Sequence, residues 1–171
     1  LVKRVKHEQL VIGRGQKRLG TVTLSVSSFV PKPFTPFQWV PFSDLAMLKR
    51  RIKKLRRGLG PVANVRVHAD VPRWAYIQAL LARGDRRLAP LLATVAQENG
   101  SWSTSFKMVN VNPEFYVSRQ REREELFPWD FIDHGVKKDY LWHEYQQALE
   151  GQITDACDPE NCVVCGVCGD D

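Results

Sequence analysis

The segment Thr21-Val-Thr-Leu-Ser-Val-Ser27 runs directly into Ser28-Phe-Val-Pro-Lys-Pro-Phe-Thr-Pro-Phe-Gln-Trp39, and the reading of this stretch decides the fold. Val22, Leu24 and Val26 face one way while Thr21, Thr23, Ser25 and Ser27 face the other, the two-residue period of a strand with one apolar and one polar side. Pro31, Pro33 and Pro36 then remove backbone donors and push each preceding residue toward extended geometry, so a stiff, aromatic-rich loop without helix is expected after the strand. Further on, Leu45, Leu48, Ile52, Leu55 and Leu59 step by three and four along one face of a helix, opened by Ser43 as cap and ended by Gly58 and Gly60-Pro61. Asn64 to His68 reads as a second short strand with Val65 and Val67 on one side. Helix and strand alternating in this rhythm indicate an α/β fold.

Outward from this centre the pattern becomes helical. A helix is expected over Val2 to Ile12, and because the chain starts at Leu1 inside that pattern it reads as a piece of something longer. Pro72 to Gln97 carries apolar positions at Trp74, Ile77, Leu80 and Leu81 before Gly84, and at Leu88, Leu91, Leu92 and Val95 after it, as in a helical hairpin. The Arg83-Gly84-Asp85 triplet inside it resembles an integrin ligand, but a turn at Gly84 with Asp85 capping the second helix explains it with less. Gly100 to Ser118 shows no period and reads mostly as loop. Arg119 to Glu125 alternates in sign, Pro128 to Gly135 is rich in turn residues, and Val136 to Leu149 forms a last helix that stops at Gly151.

The four cysteines of the chain lie in its last fifteen residues, as Cys157-x4-Cys162-x2-Cys165-x2-Cys168. Thiolates are soft anionic ligands, and four within twelve residues suffice to wrap one tetrahedral zinc ion or one iron–sulfur cluster. Zinc ribbons usually separate two C-x2-C knuckles by about 12–20 residues. Cysteine at every third position instead matches loops that curl around a [4Fe–4S] cubane, with Cys157 as a fourth ligand. Structural zinc remains the alternative, and free or disulfide-paired thiols the plainest one. A cluster held wholly by protein ligands has no open position, so electron transfer or stapling of the tail is the expected role.

Composition is that of a globular chain, with 43% hydrophobic and 26% charged residues. No apolar run approaches the ~20 residues needed to span a bilayer, and no secretory leader is visible, so the expectation is a cytoplasmic protein without a membrane partner. Net charge is +6, unevenly spread: residues 1–60 hold 14 Lys/Arg against two acids, and residues 61–171 hold 11 against 17. The basic half peaks at Lys49, Arg50, Arg51, Lys53, Lys54, Arg56 and Arg57. Such a cluster either is a solvated helix face or meets the phosphates of RNA.

Four of these stretches carry a resemblance. Ser27 to Trp39, Leu81-Ala-Arg-Gly-Asp-Arg-Arg-Leu88, Pro128-Trp-Asp-Phe-Ile-Asp-His-Gly-Val136 and the closing Cys-x2-Cys-Gly-Val-Cys resemble, in order, the C-terminal portion of an uncharacterised class of radical S-adenosylmethionine (radical SAM) iron–sulfur proteins. Members carry a cobalamin-binding-like domain, then a radical SAM partial barrel, then this region. The resemblance implies three parts: residues 1–70 as the end of the α/β barrel, 71–150 as a mainly helical region, and 151–171 as the metal-binding tail. It implies that the strand at Thr21 closes one side of the barrel, that the Pro-rich loop lies near substrate, and that Cys157, Cys162, Cys165 and Cys168 hold an auxiliary [4Fe–4S] cluster. S-adenosylmethionine and cobalamin would belong to the full-length parent, which is then the chain's first partner. Phe34 stands where the family often has His, and the three-cysteine loop that binds the catalytic cluster is absent, so this portion alone does not start radical chemistry.

Ligands of α/β barrels gather at the C-terminal ends of strands. Ser25 and Ser27 on the polar side of the first strand, Lys32 between two prolines, and His68 with Asp70 at the end of the second strand are therefore the substrate-side candidates, with hydroxyls that simply face water, an ordinary exposed lysine and a structurally satisfied histidine as the competing explanations. Asp130, Asp133 and His134 form a candidate acid–base group or metal site, with turn formation and helix capping as the competing explanation.

Overall fold

In the computed structural model the described residues are 1–158 and 164–168, and they fold into two compact units. The units are not consecutive along the chain. Residues 1–29 and 43–76 form the first, and residues 30–42 together with 77 onward form the second.

The first unit is a small α/β layer. Helix α1 (Val2–Gly15) precedes strand β1 (Val22–Val26), helix α2 (Leu45–Leu59) follows, and strand β2 (Val65–Ala69) lies parallel to β1 with Val22 opposite Val65 and Val26 opposite Ala69. Parallel neighbours need a crossover of a dozen or more residues, and α2 provides it. The mixed α/β class read from the sequence is present, and so is the alternation: Val22, Leu24, Val26, Val65, Val67 and Ala69 are half-buried while the residues between them are exposed. Among the described residues the sheet has only these two strands, so it forms no barrel. Asn64 holds a left-handed φ of 55°, a conformation Asn tolerates better than most residues, and its carbonyl accepts from Val22 N at 2.9 Å.

The α2 amphipathic face holds, but its cap does not fall on Ser43. Asp44 is the N-cap, its side chain accepting from Met47 N at 2.7 Å. A carboxylate there answers both the unpaired amides and the positive end of the helix dipole. Gly58 lies inside the helix, which ends at Gly60.

The second unit is helical. The unit boundary falls within α3 (Pro72–Arg83), after which come α4 (Ala89–Gln97), α5 (Trp102–Met108), α6 (Pro113–Val117) and α7 (Lys138–Leu149). The stretch 100–118, expected to be mostly loop, thus contains two short helices. Asn112 caps α6 by accepting from Glu114 N at 3.1 Å, and Pro113 occupies its first turn, where a missing N–H costs nothing. The Pro-rich stretch is corrected as well, because Pro36–Trp39 closes a single 3-10 turn with proline at the tolerated first position.

That turn drives Trp39 into the core. Trp39 is fully buried against Phe127, Trp129, Leu141 and Tyr145, with the Trp142 ring edge-on at 5.0 Å. Gln38 is buried beside it, its Oε1 accepting from Trp129 Nε1 at 2.9 Å and from Phe34 N at 3.2 Å. Phe34 holds a left-handed φ of 58°, which costs a bulky residue about 1–2 kcal/mol, and the Gln38 acceptor helps to hold it there. Among the described residues no helix is long and apolar enough to cross a membrane.

Candidate functional site

Three groups of side chains were singled out by sequence, and the structure treats each differently. On the first unit, Ser25 and His68 are register partners on the exposed side of the β1–β2 pair. One step further along, Ser27 Oγ donates to Asp70 Oδ2 at 2.7 Å. The four residues share the polar side of the sheet near the C-terminal ends of both strands, because a period of two puts them all on one surface. Lys32 belongs to the second unit, where it is exposed and its carbonyl accepts from Thr35 Oγ1 at 2.8 Å.

The Asp130, Asp133 and His134 group does not assemble as an acid–base or metal site. Asp133 Oδ1 accepts from Gly135 N at 2.9 Å in a local turn, and His134 Nδ1 accepts from Val136 N at 3.3 Å while its ring packs on Phe34 at 4.2 Å. Asp130 Oδ2 accepts from Phe127 N at 2.9 Å and from Lys138 Nζ at 2.6 Å. Each polar group is occupied in fastening the 127–138 segment. Among the described residues no three His, Cys, Asp or Glu side chains converge as metal ligands.

The cysteine tail is placed in part. Cys157 is exposed, Cys165 and Cys168 are half-buried in a bend over 164–168, and Cys162 lies outside the described residues. The bend is fastened to the second unit, since Lys137 N donates to Cys165 O at 2.8 Å just ahead of α7. Gly166 adopts φ +93°, and a Cβ there would stand 2.9 Å from Lys137 Cγ and 3.0 Å from Gly135 O. Only glycine combines that backbone with so close an approach. The donor chemistry fits a soft metal or an iron–sulfur cluster: thiolates spaced by two residues, half-sheltered from water, in a loop that turns tightly.

Sequence reasoning missed one feature altogether. Arg83 and Arg121 are 0% and 2% exposed, although a sequence reads both as ordinary surface charges. The one available signal was the density of arginine in Arg83 to Arg87 and Arg119 to Arg123 around aromatic residues.

Compared with protein-family models, with curated proteins and with solved structures, the chain matches none of them.

Proposed function

We propose that this chain is the C-terminal segment of a radical SAM iron–sulfur enzyme, supplying the last strands of a partial barrel, substrate-side groups and an auxiliary [4Fe–4S] cluster. The observation that carries the reading is the fastening of the Cys165–Cys168 bend to the backbone ahead of α7, which keeps half of the thiolate set on folded protein. Cys157, Cys162, Cys165 and Cys168 would hold the cluster, whose chemistry is one-electron transfer. The chain's own contribution is to shelter those thiolates and fix the bend through Lys137 N and Gly166.

The first unit supports the barrel-end part of the reading. Parallel sheets occur almost only with both faces covered, and an isolated two-stranded pair is marginal. Here the apolar side of β1 and β2 is only half-buried, and within this unit only Gly13, Leu59 and Pro72 are buried. Further strands and helices from the parent would complete such a layer, and Ser25, Ser27, His68 and Asp70 would then face its interior.

Anaerobic purification followed by iron, zinc and acid-labile sulfide analysis tests the proposal. Iron with equimolar sulfide, about four of each per chain, is the expected result. Zinc without sulfide would overturn it, and so would a parent polypeptide that lacks an upstream C-x3-C-x2-C loop.

A second reading is a non-catalytic RNA- or partner-binding module with a structural zinc tail. One observation favours it: Lys49, Arg50, Arg51, Lys53, Lys54, Arg56 and Arg57 are all exposed on α2, and none forms an ion pair among the described residues. Binding to RNA through them requires affinity that rises steeply as salt is lowered, and a flat response removes the reading.

A further inference from the structure

The second unit contains a cleft of about 280 Å³ between the turn that follows α3, helix α6 and the segment after it. Its polar side carries Asp85, Arg87, Arg119, Arg121 and Glu125, and its apolar side carries Phe115, Phe127 and Pro128. Three guanidinium groups therefore face two carboxylates, and Arg83 lies buried behind them.

Both carboxylates are already engaged. Asp85 accepts from Arg87 Nε at 3.0 Å through each oxygen and from the Tyr116 hydroxyl at 3.2 Å. Glu125 grips Arg119 with both oxygens, Oε2 at 2.7 Å from one terminal nitrogen, and stands 3.6 Å from Arg121, beyond hydrogen-bonding distance. Arg121 is left with one bond, to the Arg83 carbonyl at 3.0 Å, and its buried Nε has no partner among the described residues. Arg83 donates to Val40 O, while its own Nε and a second terminal nitrogen are likewise unpartnered.

Two adjoining buried cations thus have no carboxylate within hydrogen-bonding distance; Glu125, Asp85 and Asp130 act on Arg121 only from farther off. A buried charge is stable only when paired and hydrogen-bonded. Burial first, and then repulsion from Arg121 and Arg119, hold Arg83 down at about 10. Meanwhile the rings fix the guanidinium planes in advance: Arg119 lies 4.5 Å over Phe115, and Arg121 lies 5.1 Å from both Phe127 and Trp129.

We propose that this cleft binds a small organic oxyanion, a phosphate monoester or a carboxylate, with its charged end on Arg121 and Arg87 and its apolar body on Phe115 and Phe127. Depth sets the size of the ligand. Arg121 is 2% exposed, so a compact headgroup reaches it and the backbone of a polymer does not. A guanidinium meets a carboxylate or phosphate through two parallel bonds, and the unused donors of Arg121 are of that kind. The inference is independent of the cysteine tail and of the barrel reading.

Titration calorimetry on the full chain at fixed ionic strength tests it, with phenyl phosphate, benzoate, inorganic phosphate and neutral benzyl alcohol as probes. One saturable site for phenyl phosphate or benzoate is expected, at least ~10-fold tighter than for inorganic phosphate, with no binding of the alcohol. Whichever aromatic oxyanion binds more tightly identifies the headgroup. Arg121→Met should abolish binding. Because Arg121 is buried and that variant risks misfolding, Arg87→Ala at the exposed mouth is the second probe, expected to weaken binding at least ~5-fold while far-ultraviolet circular dichroism and a cooperative unfolding transition show the fold retained. Lys54→Ala on α2 should leave binding unaltered. Absence of saturable binding by both aromatic oxyanions, equal binding of the alcohol, or unchanged affinity in Arg87→Ala would each overturn the proposal.

Discussion

Gln38→Leu should destabilise the second unit far more than its size suggests. The side chain is 2% exposed, and its Oε1 accepts from Trp129 Nε1 at 2.9 Å and from Phe34 N at 3.2 Å. Leucine fills nearly the same volume but accepts nothing. Each lost bond is worth about 1 kcal/mol net, and the indole N–H left in a ring 6% exposed adds roughly 1–3 kcal/mol of unpaid desolvation. A total of about 3–5 kcal/mol is expected, read from urea unfolding followed by far-ultraviolet circular dichroism. The companion variant Trp129→Phe removes the indole donor, so in the double variant no orphaned indole N–H exists and only the Phe34 N–H is left without its acceptor. The two losses should therefore be less than additive by about 1–2 kcal/mol. Additivity within ~0.5 kcal/mol would refute the argument, because it would mean that the Gln38–Trp129 bond is not what fixes the turn.

Cys165→Ser should abolish metal loading while leaving most helical signal intact, as measured by metal analysis beside circular dichroism; loss of the whole fold would instead make the site structural. Gly166→Ala should loosen the cysteine bend, since its Cβ would stand 2.9 Å from Lys137 Cγ and 3.0 Å from Gly135 O, and faster alkylation of Cys165 is the measure. Acid should weaken the second unit. The hydrogen bonds from Arg87 hold Asp85 at about 2, below the ordinary 3.8, so its contribution is present above the unfolded value and is lost as pH falls from about 4 through about 2. Asp85→Asn should flatten that part of the stability–pH profile, and an unchanged slope would sink the assignment.

The strands were legible because period two survives in both: Val22, Leu24 and Val26 alternate with polar residues, and so do Val65 and Val67. The α2 face was legible for the same reason at period 3.6. Helix α5 was not, because Ser103, Thr104 and Ser105 favour turns over helix and its seven residues are too few for a period to emerge. Tertiary packing overrides them. Ser105 is fully buried, and its hydroxyl donates back to Ser101 O at 2.9 Å. Helix α6 could have been found from Asn112-Pro113, a cap followed by the proline that a first turn accepts. The Asp130 to His134 group was visible as residue types, but bonding to local amides and to Lys138 could not be told from catalysis at that level. The buried arginines were hidden for a different reason: nothing local distinguishes an arginine that snorkels to water from one whose head is held within the fold.

Residues 30–42 leave their sequence neighbours to join a body built mostly from the other end of the chain. During synthesis Trp39 therefore emerges long before Tyr145, its stacking partner at 6.1 Å. At roughly 5–20 residues per second the delay is on the order of 5–20 s, during which a proline-pinned aromatic stretch waits bare on the nascent chain. An expression boundary drawn at residue 77 would discard the indole against which α7 and the Phe127 to Trp129 segment pack.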